Sequence, residues 1–217
     1  MSYDAIVFDV DGVLVEPADH ETLQEGVRRT FRSLDVEAPA NDHVEEMTIH
    51  VTVDAVREVC EPYGLDPDDF WRERDRRSSE VQREAIRAGR KPLYDDLDVL
   101  DRLDQPKGIV SANQQMTIDF ILDYVEFDGT FATAYGREPG LDGLRRKKPD
   151  PYYLERAIAD LDAGNALFVG DSESDVQAAH RAGVDAAFLR RPHRADYDLD
   201  PDPEYEIETL AALPDIA

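Results

Sequence analysis

The chain has little cysteine, and it has no long apolar run. Cys60 is the single cysteine among 217 residues, so no disulfide bond can form within the chain. Because Cys60 lies in an apolar helical pattern, we expect a buried core residue in a reducing, cytoplasmic setting. No apolar stretch approaches the roughly 20 residues of a membrane span, and the chain enters a strand almost at once. We therefore expect neither a signal peptide nor a membrane partner.

Positive charge is scarce as well. The sequence holds 24 basic and 49 acidic residues, which gives a formal net charge of −25. So acidic a protein repels phosphate backbones, which argues against a nucleic-acid partner. Lysine occurs at four positions, and these are Lys91, Lys107, Lys147 and Lys148. An acid-rich, lysine-poor composition is typical of salt-adapted proteins, whose self-repulsion is screened in high salt. It favours a halophilic archaeal source over an ordinary acidic protein.

The stretch from Tyr3 to Val15, YDAIVFDVDGVLV, organises the rest of the chain. It opens with a short apolar run rich in β-branched residues, which predicts a buried parallel strand. Asp9 and Asp11 follow two residues apart, so on an extended chain their carboxylates point to the same side. Gly12 lets the backbone turn away beside them. Two carboxylates at so short a distance repel each other unless a cation lies between them. A hard divalent ion, Mg²⁺ before Ca²⁺, suits oxygen ligands.

Residues 16–91 read almost entirely as helix. Apolar stripes at three- and four-residue spacing predict helices over residues 20–34, 42–62 and 67–88, although the β-branched segment 48–53 weakens the second. Since this block has no strand pattern, we interpret it as a helical insert between the first strand and the rest. The run Trp71–Arg77 mixes arginine with acidic residues, which favours a solvated helix face over a basic patch.

From residue 93 onward, strand and helix patterns alternate. Strands are predicted over residues 107–110, 131–135, 166–169, 186–189 and 205–207, and helices over 94–103, 116–125, 151–161, 175–182 and up to 213. This alternation predicts an α/β fold, a doubly wound, Rossmann-like parallel sheet with helices on both faces. The core domain then comprises residues 1–15 and 92–217, and the helical insert comprises 16–91. Ligands of such sheets bind beyond the carboxyl ends of the strands.

Polar side chains follow three of these predicted strands. They are Asp9, Asp11, Ser111 and Asp171. Asp175 comes four residues after Asp171, so the two side chains share one side if a helix begins there. Lys148 stands in a Lys-Pro-Asp-Pro turn before the next helix, and the proline spacing favours it over its neighbour Lys147. Because the carboxyl ends of parallel strands share one edge, these groups are expected to meet there.

This set resembles the haloacid dehalogenase superfamily of phosphohydrolases, with the order of its motifs intact. The matching segments are Asp9-Val10-Asp11-Gly12-Val13-Leu14, Ser111, Lys148 and the run from Asp171 to Asp175. The helical insert resembles the cap of the subgroup that includes phosphoglycolate phosphatase and β-phosphoglucomutase, although it is short for that subgroup. Val13 stands where the family often has threonine. Asp11, which true dehalogenases of the family lack, disfavours dehalogenation.

The resemblance implies a Mg²⁺-dependent phosphatase that works through an aspartyl-phosphate. Asp9 is then the nucleophile, and Asp11 is the acid and base. The carboxylates of Asp9 and Asp171 and the backbone carbonyl of Asp11 would hold Mg²⁺. Lys148 would offset the negative charge at the phosphate. Asp175 would act as a support, either through a metal-bound water or by holding Lys148.

Ser111 would donate a hydrogen bond to a phosphoryl oxygen, aided by backbone N–H groups around Ala112 and Asn113. The Asn113 side chain either contacts substrate or caps the following helix, and we favour the cap. Arg145 and Arg146 are expected to be solvated. The five histidines show no metal-binding spacing and receive no role. They are His20, His43, His50, His180 and His193.

The expected substrate is a small phosphorylated metabolite, phosphoglycolate-like or a sugar phosphate, bound by a monomer or homodimer. A phosphomutase that uses the same intermediate is the nearest alternative. A non-catalytic phosphate-sensing or protein-binding module on the same fold is a second alternative, and the filled motif positions argue against it. A receiver-like phospho-acceptor domain is a third, which the helical insert does not suit.

Overall fold

The computed structural model describes residues 3–127 and 129–217, so residues 1, 2 and 128 of the predicted core ranges lie outside it. Its strands are β1 (Ala5–Phe8), β2 (Lys107–Gln114), β3 (Thr133–Arg137), β4 (Ala166–Gly170), β5 (Asp185–Leu189) and β6 (Tyr205–Ile207). In the described chain they form one sheet in the order β3-β2-β1-β4-β5-β6, paired in parallel throughout. The predicted doubly wound, Rossmann-like fold is confirmed.

Helices connect these strands. They are α1 (His20–Ser33), α2 (Asn41–Glu46), α3 (Val53–Cys60), α4 (Pro67–Arg87), α5 (Gln115–Tyr124), α6 (Leu141–Arg145), α7 (Tyr152–Asp160) and α8 (Glu173–Ala182). The helix predicted over residues 94–103 is a 3₁₀ helix over Leu97–Arg102, and α6 was not predicted. Further 3₁₀ turns cover Glu61–Tyr63, Pro192–Arg194 and Leu210–Asp215. Among the described helices, none combines the length and the apolar character needed to cross a bilayer.

The sheet is covered on both faces, because neighbouring side chains of each strand point in opposite directions. Ala5 and Val7 of β1 pack with residues of α7 and α8 on one face. Ile6 and Phe8 pack on the other face with residues of α5 and of the 3₁₀ helices. All four are fully buried, and burial of each large apolar side chain contributes about 2 kcal/mol. The chain order reverses at β1, which is the point where such sheets bind ligands.

The helix predicted over residues 42–62 is wrong, because the structure has two helices, α2 and α3, with a break between them. The break falls on the β-branched segment, whose side chains are restricted at χ1 in a helix and so lower helix propensity. His50 takes a left-handed conformation with φ of 55°. Thr52 then starts α3 by accepting a hydrogen bond from the N–H of Ala55 at 3.2 Å. The break lies directly against the candidate site.

A further apolar cluster lies mainly within the helical insert. Val27 and Phe31 of α1 pack against Phe70 and Trp71 of α4. Cys60 is fully buried in the same cluster, which confirms the prediction of a core residue. Leu144 of α6, a core-domain residue, also packs into this cluster. The division between residues 16–91 and the remainder therefore stays a prediction.

Candidate active site

The carboxyl ends of β1 and β2 open on a cavity of about 260 Å³ beneath the helical insert. Asp9 and Asp11 line it from the end of β1, and Ser111 lines it from β2. The break between α2 and α3 covers it from the insert, through the segment Thr48–Val51. These three predicted site residues therefore share one cavity at the expected edge of the sheet, and Ala112 and Asn113 line it as well.

Lys148 joins two of the predicted carboxylates. Its Nζ lies 2.9 Å from Asp9 Oδ2 and 2.5 Å from Asp175 Oδ1, and all three side chains are buried. Burial opposes the charge of Lys148, but the carboxylates of Asp175 and Asp9 outweigh burial and raise its pKa above the usual lysine value. Of the two roles predicted for Asp175, the structure shows the contact with Lys148. Lys147, the alternative to Lys148 in the sequence, donates instead to the carbonyl of Val51 at 2.6 Å.

Asp175 also shapes the turn after β4. Its Oδ2 accepts hydrogen bonds from the N–H of Asp171 at 3.1 Å, and from the N–H and hydroxyl of Ser172 at 3.0 and 2.6 Å. Asp175 is the third residue of α8, where a carboxylate is favoured by the free N–H groups of the first turn. The turn brings Asp171 beside Asp9. Gly12, with φ of 80°, permits this approach, because a Cβ there would overlap the Asp171 carboxylate.

Oxygen atoms of Asp9, Asp171 and Asp175 lie within 4.8 Å of one another. Oδ1 of Asp9 is buried and finds no hydrogen-bond partner among the described residues. Burial raises the pKa of Asp9 to about 7; Asp175 and Asp171 add to this, while Lys148 opposes it. A free buried oxygen in a cluster of carboxylates fits a hard divalent cation such as Mg²⁺. The side chain of Asp11 lies outside this cluster.

His193 and Arg194 contact the same cluster. His193 Nε2 lies 2.8 Å from Asp171 Oδ2, and Arg194 Nε donates to that oxygen at 3.1 Å. His193, to which the sequence assigns no role, therefore lies against the predicted site. Both residues lie just beyond β5, so the rule that polar residues gather at the carboxyl ends of strands could have found them. The other four histidines do not contact the predicted site carboxylates in the described structure.

Asp11 is held from the helical insert. Lys91, the last residue of the insert, forms an ion pair with Asp11 Oδ1 and is itself almost fully buried. Gln82 of α4 accepts a hydrogen bond from Lys91 at 2.8 Å and donates one to Asn113 Oδ1 at 2.8 Å. Asn113 Nδ2 donates to Asp11 Oδ2 at 2.7 Å. Lys91 and Gln82 were not predicted as site residues.

The segment Ser111–Asn113 lies inside β2, where the pairing register with β3 shifts between Val110 and Gln114. Ser111 is buried, and its Oγ accepts a hydrogen bond from the N–H of Asn113 at 3.2 Å. The favoured prediction for Asn113, a helix cap, is wrong: α5 starts after Gln114, and the Asn113 side chain contacts Asp11 instead. Ala112 lines the cavity beside these residues.

The far side of the cavity carries positive charge. Arg74 of α4, Arg137 of β3 and Lys147 line it, and we call these three residues the cationic wall. Asp75 accepts two hydrogen bonds from Arg137, at 2.9 and 2.5 Å. The prediction of a solvated face over Trp71–Arg77 is wrong for Arg74 and Asp75, which are buried. The solvation predicted for Arg145 and Arg146 is confirmed, since their side chains are 49% and 42% exposed.

A family model for haloacid dehalogenase-like hydrolases matches residues 3–183. Among curated relatives, a phosphoglycolate phosphatase of Pseudomonas putida is 42% identical over 77 residues, which are 34% of this chain and 28% of that enzyme. The chain spans between 17% and 47% of the length of the first curated relatives that it matches.

Solved structures share the whole fold. CbbY from Rhodobacter sphaeroides, in complex with phosphate, aligns with a TM-score of 0.71 and 19% identity over 98% of this chain and 96% of that chain. A HAD-superfamily hydrolase of subfamily IA from Geobacter sulfurreducens aligns with a TM-score of 0.62 and 21% identity over 100% of both chains. Taken with the family match across most of its length, the fold and the carboxylate cluster place this chain in the haloacid dehalogenase-like hydrolase family.

Proposed function

We propose that this protein is a Mg²⁺-dependent phosphatase that hydrolyses a small phosphorylated metabolite through an aspartyl-phosphate. The observation that carries the proposal is the free Oδ1 of Asp9, which is buried among Asp171, Asp175 and Lys148 beside the half-enclosed cavity that Asp9 lines. A buried carboxylate with an unused oxygen is poised to attack an electrophile that enters the cavity. The phosphoglycolate phosphatase relatives support a phosphorylated substrate.

Asp9 and Asp171 would hold the Mg²⁺ ion, together with the backbone carbonyl of Asp11. Bound there, the ion would neutralise charge on the phosphate and on the carboxylates around it. Lys148 supplies a second positive charge at Asp9, so a dianionic phosphoryl group can approach a carboxylate that would otherwise repel it. The Ser111 hydroxyl, on the β2 side of the cavity, would donate to a phosphoryl oxygen.

The reaction would proceed in two steps. Asp9 forms a bond to phosphorus while the bond from phosphorus to the leaving oxygen breaks, and Asp11 gives that oxygen its proton. Water then attacks phosphorus, Asp11 takes a proton from the water, and the bond to Asp9 breaks. Asn113 holds Asp11 by a hydrogen bond of 2.7 Å, which fixes one carboxylate oxygen and leaves the group at the cavity.

Hydrolysis is favoured over phosphomutase chemistry by the exposure of Asp11. Its side chain is 34% exposed, so water can reach the group that would activate it. A mutase has to keep water away from the same intermediate until a second hydroxyl arrives. A non-catalytic phosphate-binding module does not need an acid beside the nucleophile, which makes it the weaker alternative.

The test is phosphate release from phosphoglycolate and from p-nitrophenyl phosphate, with Mg²⁺ and with a chelator. We expect steady release with Mg²⁺, at least about 100-fold faster than for Asp9→Asn, because that variant loses the nucleophile. Asp142→Asn is the matched control, since its carboxylate is 75% exposed and pairs with Arg145 on the surface. Full activity of a clean Asp9→Asn preparation would show that Asp9 is not the nucleophile. Transfer of phosphate to a second hydroxyl without release would favour the mutase.

A further inference from the structure

The cationic wall carries more positive charge than its surroundings neutralise. Asp75 uses both carboxylate oxygens on Arg137. Its only approach to Arg74 among the described contacts is 3.9 Å, to Nη1. Lys147 has no carboxylate partner in the described structure, and its Nζ donates to the carbonyl of Val51 at 2.6 Å. The three cations therefore face the cavity with one carboxylate between them.

Unmet positive charge in a half-enclosed cavity is costly unless an anion enters. Burial, followed by the charges of Arg137 and Arg74, lowers the pKa of Lys147 to about 8. Burial likewise lowers the pKa of Arg74 to about 10, with Arg137 adding to the effect. These shifts agree with the geometry, in which the cations repel one another across the empty part of the cavity.

Neutral hydrogen-bond donors lie in the same wall. Ser78 and Trp71 of α4 line the cavity, and each is 1% exposed. The Ser78 hydroxyl and the Trp71 indole N–H have no hydrogen-bond partner among the described residues. Buried polar groups are nearly always paired in native proteins. Unpaired donors beside unmet cations point to an acceptor-rich, anionic group that is supplied by a ligand.

We infer that the substrate carries a second anionic group, a carboxylate or a second phosphate, and that Arg74, Arg137 and Lys147 bind it. This inference rests on the proposed phosphatase function, since it places the reacting phosphate at Asp9 and the second anion at the far side of the same cavity. A volume of about 260 Å³ admits a short metabolite with an anion at each end.

A structural explanation of the same contacts has to be separated from this one. Arg74 donates to the carbonyls of Met47 and Thr48, at 3.2 and 2.8 Å, and so satisfies the carboxyl end of α2. Lys147 donates to the carbonyl of Val51, which lies within the break between α2 and α3. Carbonyls need a donor and not a charge, however, so an uncharged donor at position 147 distinguishes the two explanations.

The experiment compares two substrates that differ in one end group, 2-phosphoglycolate and 2-hydroxyethyl phosphate, with Mg²⁺. Lys147→Gln keeps a donor for Val51 but removes the charge, and Lys147→Arg keeps the charge. Arg146→Gln is the matched control, because it removes a positive charge one residue away from the cavity wall. Thermal unfolding of each variant checks that the fold is retained.

We expect the unmodified protein to prefer 2-phosphoglycolate at least about 10-fold in kcat/KM, as one charge-assisted contact allows. Lys147→Gln should raise KM for 2-phosphoglycolate about 10-fold and leave KM for 2-hydroxyethyl phosphate unchanged. Lys147→Arg and Arg146→Gln should keep the preference. Equal use of both substrates, or an equal loss on both in Lys147→Gln, overturns the inference while the phosphatase proposal stands. No phosphate release from either substrate overturns both.

Discussion

The buried Lys91 forms an ion pair with Asp11 that joins the end of the helical insert to the end of β1. The pair extends through Gln82 to Asn113, so residues of the insert and of β2 fix the Asp11 carboxylate together. A group that gives and takes a proton must keep one orientation to within a few tenths of an ångström. In the proposed mechanism, the helical insert therefore positions the acid and base Asp11 as well as lining the cavity.

Lys91→Met tests this link. We expect kcat to fall roughly 10- to 100-fold with little change in KM, because misplaced acid–base groups slow proton transfer more than they weaken binding. Lys91→Arg should recover part of the loss, which a purely structural role would not predict. Lys107→Met is the matched control, since Lys107 lies at the opposite end of the sheet and its Nζ donates only to the carbonyls of Leu103 and Gln105 in the described structure. An unchanged kcat in Lys91→Met would contradict the link.

Removal of Mg²⁺ should change how stability depends on pH. Burial raises the pKa of Asp9 to about 7, so at acidic pH the native state keeps a proton that the unfolded chain releases. The metal-free protein should therefore lose stability as pH rises through about 7. Mg²⁺ should restore it, because the ion favours the ionised carboxylates.

The measurement is the thermal midpoint with Mg²⁺ and with a chelator, at about pH 5.5 and about pH 8. The Mg²⁺-dependent difference should be larger at the higher pH, and Asp9→Asn should reduce it at both. A difference that is the same at the two pH values would show that Asp9 does not titrate in this range.

The pH dependence of substrate preference follows from Lys147. Its pKa is lowered to about 8, so its charge disappears as pH rises through that value. The ratio of kcat/KM for 2-phosphoglycolate to that for 2-hydroxyethyl phosphate should fall above about pH 8. Asp9 and the phosphate are common to the reactions of both substrates, so their ionisation does not change this ratio. Lys147→Arg should keep the ratio constant through this range, and a fall of the same size in that variant would assign it to another group.

Asp75, the carboxylate that pairs with Arg137 of the cationic wall, should contribute to the stability of the fold. Asp75→Asn leaves Arg137 and Arg74 buried without a counter-charge, so we expect a loss of about 3 kcal/mol in the free energy of unfolding. That corresponds to a fall of about 6–12 °C in the thermal midpoint. Asp142→Asn, which breaks an exposed pair with Arg145, should cost about 0.5 kcal/mol or less. Equal effects of the two substitutions would show that the wall is not desolvated.

The net charge of −25 should make stability depend on salt. Raising KCl from about 0.1 M to about 1 M shortens the screening length from about 10 Å to about 3 Å. We expect the thermal midpoint to rise by about 5 °C as surface carboxylates repel one another less. Sorbitol at equal osmolality is the control and should have a smaller effect. A midpoint that falls with KCl would contradict salt adaptation.

Residues whose placement follows from one strand end were predictable from the sequence. Asp9, Ser111 and Asp171 each follow an apolar run, and parallel pairing alone carries them to one edge. The α2–α3 break was missed, because periodicity continues through residues where β-branched side chains and a left-handed His50 end the helix.

The anion-binding role that we propose for Arg74 and Arg137 could not be predicted from the sequence. Their positions depend on how α4 packs over β3, which no local pattern of charges reports. The few lysines are also a signal for the site, beyond the salt adaptation that their scarcity indicates. Three of the four lysines, Lys91, Lys147 and Lys148, contact or line the candidate site.

The centre of the sheet is built from chain segments that emerge far apart in time. Ile6 of β1 pairs with Lys107 on one side and with Leu167 on the other. During synthesis, β1 therefore waits with both hydrogen-bonding edges open while the helical insert is made, and its second edge closes only after β4 leaves the ribosome. Asp9, the proposed nucleophile at the end of β1, thus gains its neighbours from the β4 end late, and a nascent chain that stops before β4 carries Asp9 without the rest of the site around it.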